Sequence, residues 1–187
     1  MFTHPFPLES YLEIKNYMLE YMQQFNQRNI YAEKIVLPSN IKKKFDEELS
    51  SYGLPIASNY LAFKRKNYFE PNLETVHLDY FSEIRFSSIV LPIENYKGTS
   101  MFWMDGEYSL DIKLLPHGGP YAMVRWKSTP KIIHQKEILE PTLCRVDIPH
   151  DALSNIDGSY RTILSIRLNG NLKLDDIIKK RFNLSIE

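Results

Sequence analysis

The chain is 187 residues long, which suits one domain and a core that needs no disulfide staples. Lys plus Arg number 23 and Asp plus Glu 23, so the formal charge is zero, which argues against gripping nucleic acid or an anionic membrane by bulk charge. With 43% apolar and 25% charged residues the composition excludes a disordered chain, and the lone Cys144 excludes a disulfide framework or a cysteine-cluster zinc site.

The opening stretch MFTHPFPLESYLE has neither the basic nor the apolar region of a signal peptide, and no apolar run approaches the roughly 20 residues needed to span a bilayer. A soluble, cytoplasmic protein without a membrane partner is expected.

The first third reads helical. Leu8, Tyr11, Leu12, Met18, Leu19, Met22 and Phe25 recur at helical steps between Pro7 and about Asn29, one stripe against a polar remainder. A second helix is expected from Ser39 to Ser51, with Ser39 as N-cap and Gly53 just past the end. These helices are expected to brace a sheet, with a homodimer through them as an alternative use of their apolar stripes.

Beyond residue 55 the texture changes to short β-branched and aromatic runs separated by turn residues. Strands are expected over 58–64, 73–78, 85–93, 99–104, 108–115, 121–127, 131–138, 143–148 and 161–168. Asp105-Gly106 between Phe102-Trp103-Met104 and Tyr108-Ser109-Leu110 signals a hairpin. Strands spaced about ten residues apart, with no helical pattern between them, favour antiparallel sheets in a sandwich or barrel. A last helix runs from Leu174 to about Phe182. The chain thus reads as α+β and a single domain over 1–187: a helical extension (1–55), a β core (56–168) and a C-terminal helix (169–187).

The chemistry concentrates in the histidines. In Glu74-Thr75-Val76-His77-Leu78-Asp79, the imidazole and the carboxylate stand at i and i+2, on one face of an extended chain. His150 follows an apolar strand and a proline in Val146-Asp147-Ile148-Pro149-His150. Two imidazoles and one carboxylate on one face of an octahedral ion leave three sites open, the facial triad of non-heme Fe(II) oxygenases. Taken alone, a His-x-Asp pair is more often an exposed hydrogen-bonded pair. Further on, period two places Arg161, Ile163, Ser165 and Arg167 on one strand face, where guanidinium groups are costly to bury unless they meet anions. His117, in the turn Pro116-His117-Gly118-Gly119-Pro120, reads as a simple loop residue, His134 as a surface residue and Cys144 as a buried structural thiol. The runs Lys42-Lys43-Lys44 and Lys64-Arg65-Lys66 read as solvated faces.

The order His77-x-Asp79, His150, Arg161 resembles the Fe(II)/2-oxoglutarate-dependent dioxygenase superfamily, whose fold is a double-stranded β-helix, or jelly roll. Residues 85–93 followed by 99–103 are similar to its second and third core strands, and the likeness spans roughly residues 58–168. The resemblance implies that His77, Asp79 and His150 ligate Fe(II) and that Arg161 binds the distal carboxylate of 2-oxoglutarate, with O2 as oxidant and a C–H hydroxylation as outcome. One departure is Ile163, where many members carry Ser or Thr two residues after the arginine. Tyr68 or Tyr80 are candidates to replace that hydroxyl, and Arg167 is a candidate to hold a carboxylate instead. The resemblance points to no branch of the superfamily; a small molecule or a peptide is favoured over nucleic acid as substrate. Two other readings are an inert jelly-roll binding module and a cupin-like metalloenzyme that does not use 2-oxoglutarate.

Overall fold

The protein is described here by a computed structural model, which covers residues 1–23, 31–66, 70–80, 83–114, 120–154, 160–168, 170 and 172–182. Three helices form where apolar residues recur at three- and four-residue steps: α1 (Tyr11–Gln23), α2 (Ser39–Ser51) and α3 (Leu174–Phe182). In α1 the inward face is Ile14, Met18 and Met22, while Leu12 is 65% exposed. The expected stripe largely holds: Met18 and Met22 are buried and Leu8, Tyr11 and Leu19 pack against the same core, Ile14 joins them, Leu12 faces out, and Phe25 lies outside the described residues. Helix α2 buries Ile41, Phe45 and Leu49. Its N-cap is Pro38 with no side-chain capping bond, so Ser39 is the first helical residue and not the cap. Its end follows the sequence signal: Gly53 takes φ 58°, its N–H donates to Ser50 O (2.7 Å), and Leu54 N–H donates to Leu49 O (2.8 Å). Gly53→Ala should cost about 1 kcal/mol, the penalty of a Cβ in the left-handed region; equilibrium denaturant unfolding checks this.

The remaining elements are strands: β1 (Thr3–Pro5), β2 (Tyr31–Ile35), β3 (Ala57–Lys66), β4 (His77–Leu78), β5 (Ser87–Glu94), β6 (Thr99–Asp105), β7 (Tyr108–Leu114), β8 (Pro120–Trp126), β9 (Lys131–Glu137), β10 (Thr142–Arg145), β11 (His150–Ser154) and β12 (Tyr160–Leu168). They form two six-stranded sheets in the orders β1-β10-β5-β12-β3-β2 and β7-β8-β4-β11-β6-β9. Every pairing between them is antiparallel. Without β1, β2 and the β7–β8 pair, the order is that of a jelly-roll-like sandwich: β3-β12-β5-β10 facing β4-β11-β6-β9.

Several expectations need correction. The first 55 residues are not purely helical, since β1 and β2 add edge strands to the first sheet. The segment 73–78 is strand only at His77–Leu78, because Asn72 turns the chain before it: Glu74 N–H donates to Asn72 Oδ1 (3.1 Å) and Thr75 N–H to Asn72 O (3.0 Å). Asp105-Gly106 is a turn but not a hairpin. Strand β6 pairs with β11 and β9, and β7 pairs with β8. Counted from β3, residues 87–94 and 99–105 are the third and fourth core strands, since the short β4 precedes them.

The strands alternate as period two requires. Ile89, Leu91 and Ile93 of β5 and Leu164, Ile166 and Leu168 of β12 face the three helices in one large core. Val90 and Ile163, pointing the other way, meet Met101, Trp103, Cys144 and Val146 between the sheets. Among the described residues no helix is long and apolar enough to cross a membrane.

Candidate metal centre

Three side chains, from β4, the residue just past it and the neighbouring β11, converge on one point. His77 opens β4 and His150 opens β11, and the antiparallel register sets them directly opposite each other. Residues opposite one another in a ladder share a face, and the ring centroids stand 4.7 Å apart. Asp79 lies just beyond β4; its N–H donates to Val146 O (3.2 Å), and Arg85 N–H donates to its carbonyl (2.8 Å). Its Oδ1 is 3.8 Å from His77 Nε2 and 3.8 Å from His150 Nε2. One ligand atom from each residue lies within 4.8 Å of the others.

The far side of each ring sets its orientation. His77 Nδ1 is 3.0 Å from Thr75 O and His150 Nδ1 is 2.8 Å from Ile148 O. A carbonyl only accepts, so each Nδ1 carries a hydrogen, and Nε2 is the ring nitrogen turned toward Asp79. Both rings use the same device, a bond to the carbonyl two residues earlier in the chain.

Asp79 is 8% exposed and His150 4%. Burial alone would push the Asp79 carboxyl up, but Arg167, followed by His150, His77 and Arg85, more than offsets this and holds it below its ordinary 3.8. Arg167 Nε stands 3.9 Å from Asp79 Oδ2 and its Nη1 donates to Tyr80 O (3.1 Å). One carboxylate oxygen therefore faces the imidazoles and the other faces a guanidinium. The donor set fits a divalent transition metal: two imidazole nitrogens and a carboxylate oxygen, on one side of a common point. Ligand atoms bonded at about 2.1 Å and at right angles lie about 3 Å apart, so small side-chain shifts close the observed spacing onto an ion.

No family model matches the chain, and no curated protein matches it. Among solved structures it is similar to a prolyl-4-hydroxylase from Pseudomonas putida (13% identity, 90% of this chain and 92% of that one, TM-score 0.42). It is also similar to E. coli ycfD (10% identity, 79% of this chain and 37% of that one, TM-score 0.34), of which it spans about a third of the length.

Around the three donors, the expected residues separate. Arg161 and Arg167 lie on the same inward face of β12 and are both buried. Arg167 adjoins the cluster, its Nε facing Asp79. Between them on that face come Ile163, in the inter-sheet core, and Ser165, whose hydroxyl is 2.7 Å from that of Ser88. Tyr80 bridges to Ile84, and its carbonyl holds Arg167. Tyr68 and His117 lie outside the described residues. His134 is half-buried, stacked on Phe2 (4.8 Å between centroids), and apart from the cluster. Cys144 is fully buried, and burial, with Asp79 second, pushes its thiol well up, so it makes no nucleophile. Lys42 and Lys43 pair with Asp46 and Glu47 one helical turn on, and Lys44 with Glu13.

Sequence reading missed three supporting groups. Tyr121 of β8 stands edge-on to His77, with centroids 6.0 Å apart. Thr75 Oγ1 donates to Asp151, next to His150, tying the strand-leading turn of one histidine to the strand of the other. Arg85 adds positive charge near Asp79 while its Nη2 donates to Leu168 O (2.6 Å) and Gly170 O (2.7 Å). Nothing local marks Tyr121; it is found only through the β4–β8 register.

Proposed function

We propose that His77, Asp79 and His150 hold Fe(II), and that the protein is a 2-oxoglutarate-dependent oxygenase that hydroxylates a C–H bond in a small molecule or peptide. The observation that carries this reading is the cluster itself: two imidazoles anchored at Nδ1 and one carboxylate, on and just past adjoining strands of a jelly-roll-like sandwich. When bound, the iron would supply the redox chemistry that couples keto-acid decarboxylation to hydroxylation. The chain's own part is to hold the ligands, orient the co-substrate and exclude water.

His77 and His150 would each give Nε2 to the metal while Nδ1–H stays on its backbone carbonyl. Asp79 would give Oδ1, with Oδ2 kept toward Arg167, which favours one-oxygen coordination. Arg161 would take the distal carboxylate of 2-oxoglutarate. It is buried on the inward face of β12, six positions before Arg167, with Ile163 between them to pack against the aliphatic middle of a diacid. Arg167 would instead serve Asp79, which its guanidinium faces, while it holds the Tyr80 carbonyl.

Anaerobic titration of the purified protein with Fe(II) and 2-oxoglutarate tests the reading. The expected result is a weak visible charge-transfer band that needs both components, together with succinate release once O2 is admitted. An iron-loaded, folded sample that shows neither would overturn it in favour of an inert module; metal binding without any response to 2-oxoglutarate would favour a cupin-like enzyme.

A further inference from the structure

Strand β7 ends the second sheet, and among the described residues no strand pairs with its outer edge. Unprotected edges invite another strand, so sheets usually shorten, bulge or charge them. The opposite edge of this sheet, β9, is interrupted: its pairing with β6 slips between Trp103 and Met104. Strand β7 pairs with β8 over seven consecutive positions without a slip. Its row on the face away from the metal cluster is Leu110, Ile112 and Leu114, which are 37%, 48% and 72% exposed. Its charged residues Asp111 and Lys113 lie on the other face, in the ladder rows of Met123 and Tyr121, and Met123 is opposite His77.

This heptad, Tyr108-Ser109-Leu110-Asp111-Ile112-Lys113-Leu114, is complementary to itself. In an antiparallel pair of two copies centred on Ile112, Asp111 of each copy faces Lys113 of the other, and Leu110 faces Leu114. Ile112 then meets its own copy on the two-fold axis. Centred one residue earlier, Asp111 would face Asp111, a like-charge pair that the sheet disfavours. Opposite charges and apolar side chains are thus both matched in the same register. We propose that β7 pairs with β7 of a second copy of this chain, joining the two sheets into one across an isologous two-fold interface. The cross-interface Asp111–Lys113 pairs would lie on the face of the sheet that carries His77 and His150. Within one copy Asp111 also meets Arg125 (3.0 Å) and Lys113 (3.7 Å), contacts a neighbouring Lys113 would join rather than break.

Sedimentation velocity of the full chain, without metal or co-substrate, tests this pairing. At about 100 μM, above the micromolar dissociation constant expected of a small interface, wild type should sediment as a dimer. Asp111→Lys places Lys opposite Lys and Lys113→Asp places Asp opposite Asp, so each variant alone should dissociate at least tenfold more readily. Mixed in equal amounts, the two regain opposite charges at every pair and should form a heterodimer. Recovery in the mixture also shows that each variant is folded. A monomeric wild type overturns the proposal, and is the result expected if the edge instead receives a strand from a different protein. A dimer indifferent to both substitutions, as one through the N-terminal helices would be, overturns it too, as does a mixture that stays monomeric.

Discussion

His77→Ala should abolish Fe(II) binding with little effect on the fold, whereas Asp79→Ala should cost the protein both metal affinity and stability. Loss of an outer partner of a ligand typically weakens metal binding 10–100-fold, so loss of a ligand should exceed about 100-fold. The two variants differ in what they leave behind. Removing the His77 imidazole vacates a partly exposed position beside Tyr121, with no charge stranded. Removing the Asp79 carboxylate leaves Arg167, 5% exposed, with the Tyr80 carbonyl but without its anion. Breaking a buried ion pair from one side costs about 3 kcal/mol at the low end, fitting for a 3.9 Å separation. The acid side follows. The folded Asp79 carboxyl sits below its ordinary value, so its contribution is fully present above about pH 4 and is lost as pH falls through the lowered value. Asp79→Asn should remove that part of the acid dependence. Isothermal titration with Fe(II) and denaturant unfolding across pH, run on both variants, check the contrast.

Arg161→Ala should weaken 2-oxoglutarate binding while leaving Fe(II) affinity unchanged. Truncating one side of a buried, hydrogen-bonded charge pair costs about 2–4 kcal/mol, or on the order of 30–1000-fold in affinity. Arg161→Lys should recover only part of this, since an ammonium lacks the planar fork that meets a carboxylate with two parallel bonds. Arg167→Met should show the opposite profile. Its guanidinium adjoins Asp79, so metal affinity should fall first and co-substrate binding only as a consequence. Separate titrations, metal first and 2-oxoglutarate into the metal-loaded protein, distinguish the two arginines. Equal losses of 2-oxoglutarate affinity in both variants, with metal binding intact in both, would refute this division of roles.

What was legible in the sequence follows from how each element is stabilised. Strands β3, β5 to β9 and β12 show alternation or dense β-branched and aromatic runs, because their faces meet different neighbours. Helix α2 shows its end through Gly53. Strands β1, β2 and β11 were not legible. They are short, and β11 reads His-Asp-Ala-Leu-Ser, without a β-branched residue. They are strands only because long-range partners accept them: Cys144 for Thr3, Tyr60 for Ile35 and Trp103 for His150. The cluster was legible in part. The i, i+2 spacing placed His77 with Asp79, and the period of β12 placed Arg161 and Arg167 on one inward face. That Arg167 would adjoin Asp79 depends on how the two sheets are stacked, which no local pattern encodes.

The strand that carries His77 is only two residues long. A segment so short has no stability of its own; it is held on one side by β11 and on the other by β8, where Leu78 lies opposite Ala122 and Val124 N–H donates to Val76 O (3.1 Å). Strands β7 and β8 are an excursion of the chain between two members of the sandwich, and they supply half the scaffold of this histidine. Fraying of that excursion would free the imidazole while His150 stayed in place, turning a three-point grip into a two-point one. Occupancy of the cluster and closure of the excursion are therefore thermodynamically linked: each makes the other less costly.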